Sequence, residues 1–376
     1  MSLAVAARPS RPRLEVGGRA GRVPHALQPP PRPSPLRRAA LAPAGRPAAP
    51  LRVARPMGPL DTEQHEQQEQ QVAIRERLQG YWRLVRGWNA LPSMALVLLG
   101  AWTGAGKTLL ALKHLTVWFM GLASGAVAMA SCTINDYFDA DIDAVNDPQK
   151  PVPSGLIPRD RALLVASLLY IGLLALACLV PNAGVRLIVA LSSALTVLYT
   201  PVLKKQTLVK NCVVACVIAA APLAGALAAG AGGGPGLRAV LAPCAFLWLG
   251  IMFREILMDI QDRRGDGAAG VLTLPVVLGP RAALGIGFGL LAACMALAAH
   301  AAVYGGGLAW AWAAAPALEP AARTAALAAV AWVLSTPCAA AVAVQRSGFG
   351  KAEVSRAIDV SMKSVGLGTL LLALLV

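Results

Sequence analysis

Nine apolar runs follow one another from residue 88 to the end of the chain, near 88–106, 112–134, 161–180, 184–200, 211–230, 238–258, 282–304, 321–344 and 354–376. A helix needs about 20 mostly apolar residues to cross a bilayer core. The pattern therefore predicts an all-α membrane protein of about nine transmembrane helices, the first and fourth runs being short or interrupted. Just upstream, DTEQHEQQEQQVAIRERLQGYWRLVRGW passes from a Gln/Glu-rich linker into a segment where Leu78, Tyr81, Trp82 and Val85 share one helical face, flanked by Arg. This predicts a helix lying at the membrane surface over the later part of residues 58–87. The polar positions between the runs give an orientation. With the N-terminus inside, the loops after the second, fourth, sixth and eighth runs and their edges carry 13 Lys or Arg, against 5 in the opposite loops. That asymmetry agrees with nine crossings and a positive inside.

Composition agrees with the pattern: 56% of the 376 residues are hydrophobic, 14% are charged, and the mean hydropathy is +0.59, which excludes a soluble globular domain. The net charge of +15 is concentrated at one end. Residues 1–60 hold 11 Arg and one Glu, or +10; the rest holds 23 basic and 18 acidic residues, or +5. No nucleic-acid partner is expected from that balance. Residues 1–57, rich in Ala, Pro and Arg and without Lys, read as an organelle import leader, plastid or mitochondrial. A permanently disordered basic tail on anionic lipid is the alternative. Residues 88–376 form the membrane domain. The seven cysteines fall in or at the ends of apolar runs without CxxC spacing and read as packing residues.

The chemistry lies on the inner face. Asp136, Asp139 and Asp143 stand at i, i+3 and i+7, which on a helix confines them to an arc of roughly 60°. Asp141 falls off that arc, and Pro148 ends any helix before Lys150. The same spacing recurs in Asp259, Asp262 and Asp266, again at the end of an even-numbered run. Six carboxylates facing one another repel and raise each other's pKa unless cations join them. Mg²⁺ binds through a few carboxylates while leaving positions for substrate phosphates, so the pattern points to a metal–diphosphate site, with Lys150, Lys204, Lys205 and Lys210 in adjacent loops to neutralise the remaining charge. Two solvated acidic loops, or an ion path through a cation transporter or channel, are the alternatives.

NDYFDADID (Asn135 to Asp143) resembles the NDxxDxxxD first motif of the UbiA superfamily of intramembrane prenyltransferases, and DIQDRRGD (Asp259 to Asp266) resembles its second, DxxDxxxD. LYTPVLKK (Leu198 to Lys205) is similar to the family's tyrosine- and lysine-containing end of the fourth span. RGWN (Arg86 to Asn89) is similar to the RPxN start of the first, with Gly87 where Pro is usual. The resemblance spans about residues 80–376. It implies nine transmembrane helices around a central cavity, capped by polar residues over Mg²⁺ and an isoprenoid diphosphate. Asn135, Asp136, Asp139 and Asp143 would then hold one metal and Asp259, Asp262 and Asp266 the other, with Asp136, Asp139, Asp259 and Asp262 central to catalysis. Lys150, Tyr199, Lys204 and Lys205 would meet the donor, and Asn89 would line the pocket; an interfacial belt role is the alternative for Tyr199.

The implied reaction moves a geranylgeranyl- or phytyl-type group from its diphosphate to a small-molecule acceptor within the bilayer. The first motif is similar to that of the subgroup containing chlorophyll synthase, homogentisate prenyltransferases and archaeal ether-lipid geranylgeranyltransferases; the second resembles the homogentisate and ether-lipid types. With a plastid address the expected acceptor is aromatic, as in prenylquinone or tocopherol synthesis. Chlorophyll-type or ether-lipid-type transfer and a terpene cyclase remain alternatives. TGAGKT (Thr103 to Thr108) reads as a polar connector on the opposite face, and Gly121 with Gly125 and Gly285 with Gly289 predict close helix packing.

Overall fold

A computed structural model describes residues 59–268, 270–304 and 319–376; the expected leader, residues 1–57, lies outside the described residues. Among the described residues there is no strand. Helix α1 (Pro59–Leu84) leads through a 3-10 turn (Gly87–Asn89) into α2 (Ala90–Gly104). Then come α3 (Leu115–Phe138), the short α4 (Ala140–Asn146), α5 (Arg159–Cys178), α6 (Ala183–Tyr199), α7 (Val209–Ala228) and α8 (Pro235–Ala268). The chain continues through α9 (Leu274–Val277), α10 (Pro280–Tyr304), α11 (Glu319–Arg346) and α12 (Lys351–Leu375). Each of the nine apolar runs coincides with a helix, although α2, with 15 residues, and α6, with 17, are shorter than the rest.

By length and composition, α3, α5, α7, α8, α10, α11 and α12 are each able to cross a bilayer. The end of α1 and the segment Gly87–Gly104 make an eighth candidate as a pair bent by 46°, and α6 is a shorter apolar helix of 17 residues. Leu164, Leu168 and Ile171 on α5 are exposed, as expected of a surface solvated by lipid rather than water. On α1, Leu78 and Trp82 are exposed as one apolar face, while Leu84, not expected on it, is fully buried with Val152 and Ile157.

The bend before α2 has a local cause. Arg86 takes a left-handed conformation (φ 47°, ψ 52°), and the Trp82 indole lies against the backbone of Gly87, so a side chain at 87 would strike the ring. Gly87 thus sits in a turn closed by an indole.

Two apolar cores support the bundle. Val97, Val117, Leu173 and Val185 pack α2, α3, α5 and α6 together, and Phe246, Phe253, Leu284 and Leu372 pack α8, α10 and α12. Helix α7 joins them, lying against α2 and against α8. Its crossing with α2 is close because it is built of small residues: a Cβ on Gly100 would overlap the Pro222 carbonyl, and one on Gly225 would overlap the Val97 carbonyl. Gly121 and Gly125 do pack closely, against Met94 and Ala90, but Gly285 and Gly289 face open space, so the expected packing role fails there. Lys107, in the connector after α2, donates to the carbonyls of Leu374 (3.0 Å) and Val376 (2.9 Å), fastening the outer end of α2 to that of α12.

Gly225→Val should therefore cost about 2 kcal/mol through overpacking, read as a lower thermal midpoint of the detergent-solubilised protein, whereas Gly285→Val should leave the midpoint unchanged. Equal effects from both would contradict the close α2–α7 crossing.

Candidate functional site

The inner ends of α3, α6, α7 and α8 carry the predicted residues. The first triplet does not lie on one helix, contrary to the spacing argument. Helix α3 stops at Phe138, Asp139 forms the junction (φ −86°, ψ 3°), and Asp143 sits on α4. The break preserves the convergence: Asp136, Asp139 and Asp143 are all buried, whereas Asp141 points out to Arg159, 3.2 Å away. Because α8 continues well past residue 258 to Ala268, the second triplet does lie on one helix; Asp259 is buried, Asp266 half-buried and Asp262 exposed.

Each buried carboxylate meets a cation or an amide. Lys150 Nζ lies 2.7 Å from Asp143 Oδ2 and 3.5 Å from Asp136 Oδ1, and Arg86 Nη2 lies 3.1 Å from Asp136 Oδ1. Lys204 Nζ donates to Asp139 Oδ2 at 2.6 Å. On the other motif, Asp259 Oδ1 forms an ion pair with Lys210 Nζ at 2.6 Å, and its Oδ2 accepts from Asn211 Nδ2 at 2.9 Å. Burial disfavours the charged form of Lys150, yet its hydrogen bond to Asp143 and the nearby Asp136 outweigh that and hold its pKa above the ordinary lysine value.

Two residues tie the motifs together. Lys204, bonded to Asp139, is also within electrostatic reach of Asp262, and the half-buried Tyr199 phenol lies within reach of Glu255, Asp259, Asp139 and Asp266. Asn135 accepts from Thr200 Oγ1 at 2.8 Å, joining the ends of α3 and α6. Asn89 faces the same region from the start of α2, its Nδ2 3.9 Å from Cys132 Sγ. The side chain of Lys205 lies outside the described residues.

Among the described residues, no three acidic, histidine or cysteine side chains converge as placed to enclose a metal ion. The donor set nonetheless suits a hard cation, being wholly of carboxylate and amide oxygens. In addition, Asn211 Oδ1 is buried beside Asp259 without any hydrogen-bond partner, an uncompensated acceptor of the kind a cation or its water would satisfy.

Sequence reasoning missed Arg86 and Asn211 as members of this cluster, together with Glu255, which is buried one turn before Asp259 and paired with Arg254 at 2.6 Å. The available signal was a polar residue inside or at the mouth of an apolar run, as at Asn211 after Lys210.

The fold and site together define a polytopic membrane protein with two acid-rich motifs held by cations at one end of its bundle. The profile of the UbiA prenyltransferase family matches residues 91–347, and the chain belongs to that family. It is 33% identical over 216 residues to the digeranylgeranylglyceryl phosphate synthase of Natronomonas pharaonis, covering 57% of this chain and 75% of that protein. With the enzyme of the same name from Halobacterium salinarum strain R1 it shares 35% over 210 residues, 55% of this chain and 72% of that one. A solved digeranylgeranylglyceryl phosphate synthase structure superposes with a TM-score of 0.57 at 21% identity, covering 80% of this chain and 99% of the other. A UbiA homologue from Aeropyrum pernix K1 gives 0.56 at 22%, covering 74% and 96%. The chain is a prenyltransferase of the multi-pass membrane type.

Lys210 and Asp259 are both nearly inaccessible, so removing one strands the other. Lys210→Met should destabilise by about 3 kcal/mol, and adding Asp259→Asn should restore part of that loss. Thermal midpoints of the two single variants and the double variant measure the coupling; strict additivity would refute it.

Proposed function

We propose that the chain transfers a polyprenyl group from its diphosphate to the hydroxyl of a phosphate-bearing glyceryl lipid, with Mg²⁺ bound by the two aspartate motifs. The observation that carries this reading is the interleaving of carboxylates and ammonium groups, with Lys204 on Asp139 and in reach of Asp262, and Lys210 on Asp259. An ion path would favour acids in mid-membrane, whereas these acids close their helices beside basic loops. The naming of the archaeal relatives supports the glyceryl-lipid acceptor over the aromatic one expected from the sequence. An Archaeoglobus fulgidus UbiA homologue, bound to GPP and Mg²⁺ and 18% identical, supports the donor and metal classes.

In this reading Asn135, Asp136, Asp139 and Asp143 hold one metal ion and Asp259, Asp262 and Asp266 the other. Bound Mg²⁺ supplies charge to stabilise the departing diphosphate. Lys150, Lys204 and Lys210 exchange their carboxylate partners for diphosphate oxygens as the donor enters, and Lys205 adds to that positive field. Tyr199, between the motifs, offers a π-face to the allylic carbon as its C–O bond breaks, and Asn89 helps position the acceptor. The acceptor oxygen then bonds to that carbon and passes its proton to the departed diphosphate. The amphipathic α1, with exposed Leu78 and Trp82, rests on the bilayer surface. Residues 1–57 support an import leader and hence an organelle membrane, plastid or mitochondrial inner; that address rests on their composition alone.

Membranes supplied with geranylgeranyl diphosphate, Mg²⁺ and a panel of glyceryl-lipid and aromatic acceptors should yield prenylated glyceryl lipid and diphosphate. The Asp136→Ala, Asp262→Ala double variant or EDTA should reduce turnover at least 1,000-fold, on the order of several kcal/mol of lost charge stabilisation. Full turnover by the double variant, or product from aromatic acceptors only, would overturn the reading.

A further inference from the structure

We infer that Glu255 is a catalytic residue for the acceptor half of the reaction, its carboxylate receiving the proton of the attacking hydroxyl. The inference rests on the transfer reaction proposed above and gives that proton its route to the diphosphate. Glu255 belongs to neither the metal-binding set nor the donor-binding set of that reaction.

Position on α8 is the first reason. Glu255, Asp259, Asp262 and Asp266 stand at i, i+4, i+7 and i+11, which keeps all four within an arc of roughly 60°. The acidic stripe therefore runs one turn deeper into the bundle than the motif itself. Asp262 is exposed and Asp266 half-buried towards the end of the helix, whereas Glu255 and Asp259 are buried. By helical rise Glu255 lies roughly 6 Å further in than Asp259. A donor whose diphosphate is held by the motif acids extends its prenyl chain to that side, so its reacting carbon comes near the level of Glu255.

Surroundings give the second reason. Glu255 is within electrostatic reach of Tyr199 from α6, of Lys210 from α7, and of Arg254 and Asp259 on its own helix. Tyr199 is the ring placed against the allylic carbon in the reaction above. Among the acids near that phenol Glu255 acts on it most strongly, ahead of Asp259, Asp139 and Asp266. A carboxylate and the reacting carbon are thus brought to the same ring.

Hydrogen bonding is the third. Arg254 Nη1 donates to Glu255 Oε1 at 2.6 Å, and among the described residues Oε2 has no hydrogen-bond partner. Packing does not ask for this pair: residues i and i+1 point apart on a helix, so Arg254 turns back to reach its neighbour and leaves its Nε buried and unbonded. Apolar residues of similar size would fill the space without that penalty. The pair instead keeps a carboxylate in the apolar interior with one oxygen anchored and the other open.

The step balances. As the allylic C–O bond breaks, its electron pair leaves with the diphosphate; a lone pair of the acceptor oxygen forms the new C–O bond, and the O–H proton passes to Glu255 Oε2. Handing that proton on to the diphosphate restores the carboxylate and releases hydrogen diphosphate.

The test uses the full chain in nanodiscs with Mg²⁺, geranylgeranyl diphosphate and geranylgeranylglyceryl phosphate. Donor-site binding is measured separately with geranylgeranyl thiolodiphosphate, which occupies that site without reacting. Glu255→Gln should lower kcat about 100- to 10,000-fold, the range of general-base catalysis, while the Mg²⁺-dependent affinity for the thiolo analogue shifts by less than about threefold. Retained analogue binding also shows that the variant is folded. Glu255→Asp should recover part of the rate. The double variant Arg254→Met, Glu255→Gln should stay as slow as Glu255→Gln; a recovered rate means that Glu255 only compensates Arg254 and overturns the inference. Lost analogue binding in Glu255→Gln assigns the residue to the metal and donor site and overturns it as well. A fast wild type beside an equally fast Glu255→Gln enzyme refutes the inference alone and leaves the transfer reaction standing, whereas a wild type that prenylates no glyceryl lipid refutes both together.

Discussion

The pairing of buried carboxylates with lysine ammonium groups is the constraint on which the rest of this structure depends. Asp139 with Lys204 and Asp259 with Lys210 are ion pairs at 2.6 Å, and in both the carboxylate is almost entirely withdrawn from solvent. Such charges are costly to desolvate, and each is tolerated only because its partner is present. In the proposed reading, a metal ion held by these carboxylates would supply the charge that the lysines now supply, leaving the lysines to meet diphosphate oxygens.

Packing sets where those charges meet. Asn89 begins α2, and Lys210 and Asn211 begin α7, so the separation of these groups is fixed by how closely the two helices cross. Gly100 and Gly225 bring the backbones together there. At the far end Lys107 fastens α2 to α12, whose near end carries Ser355, 3.3 Å from Gln261 in the second motif. One helix, α12, thus meets the clamp at one end and the second acid motif at the other.

Much of this was legible in the sequence because membrane solvation is strict: an apolar run in lipid must close its own backbone hydrogen bonds, so the nine runs became helices, seven of them long enough to cross a bilayer singly. Aspartate spacing was equally legible on α8, where helical geometry persists through Asp266. It misled on α3, where the helix breaks at Asp139, because a seven-residue pattern says nothing of a one-residue junction. Gly285 and Gly289 misled for a related reason: small residues permit close approach, and which helix approaches is decided by the whole bundle. Arg86 escaped notice because its role depends on a left-handed turn and on an indole over Gly87, neither of which has a periodic signature.

The departure from the family's RPxN pattern then takes on a meaning of its own. A proline at 87 would bring a Cβ into the space that the Trp82 ring occupies. Glycine admits the indole, the indole closes the turn, and from that turn Arg86 reaches Asp136. A residue without a side chain at 87 therefore couples the end of α1 to the first acid motif through the packing of one ring.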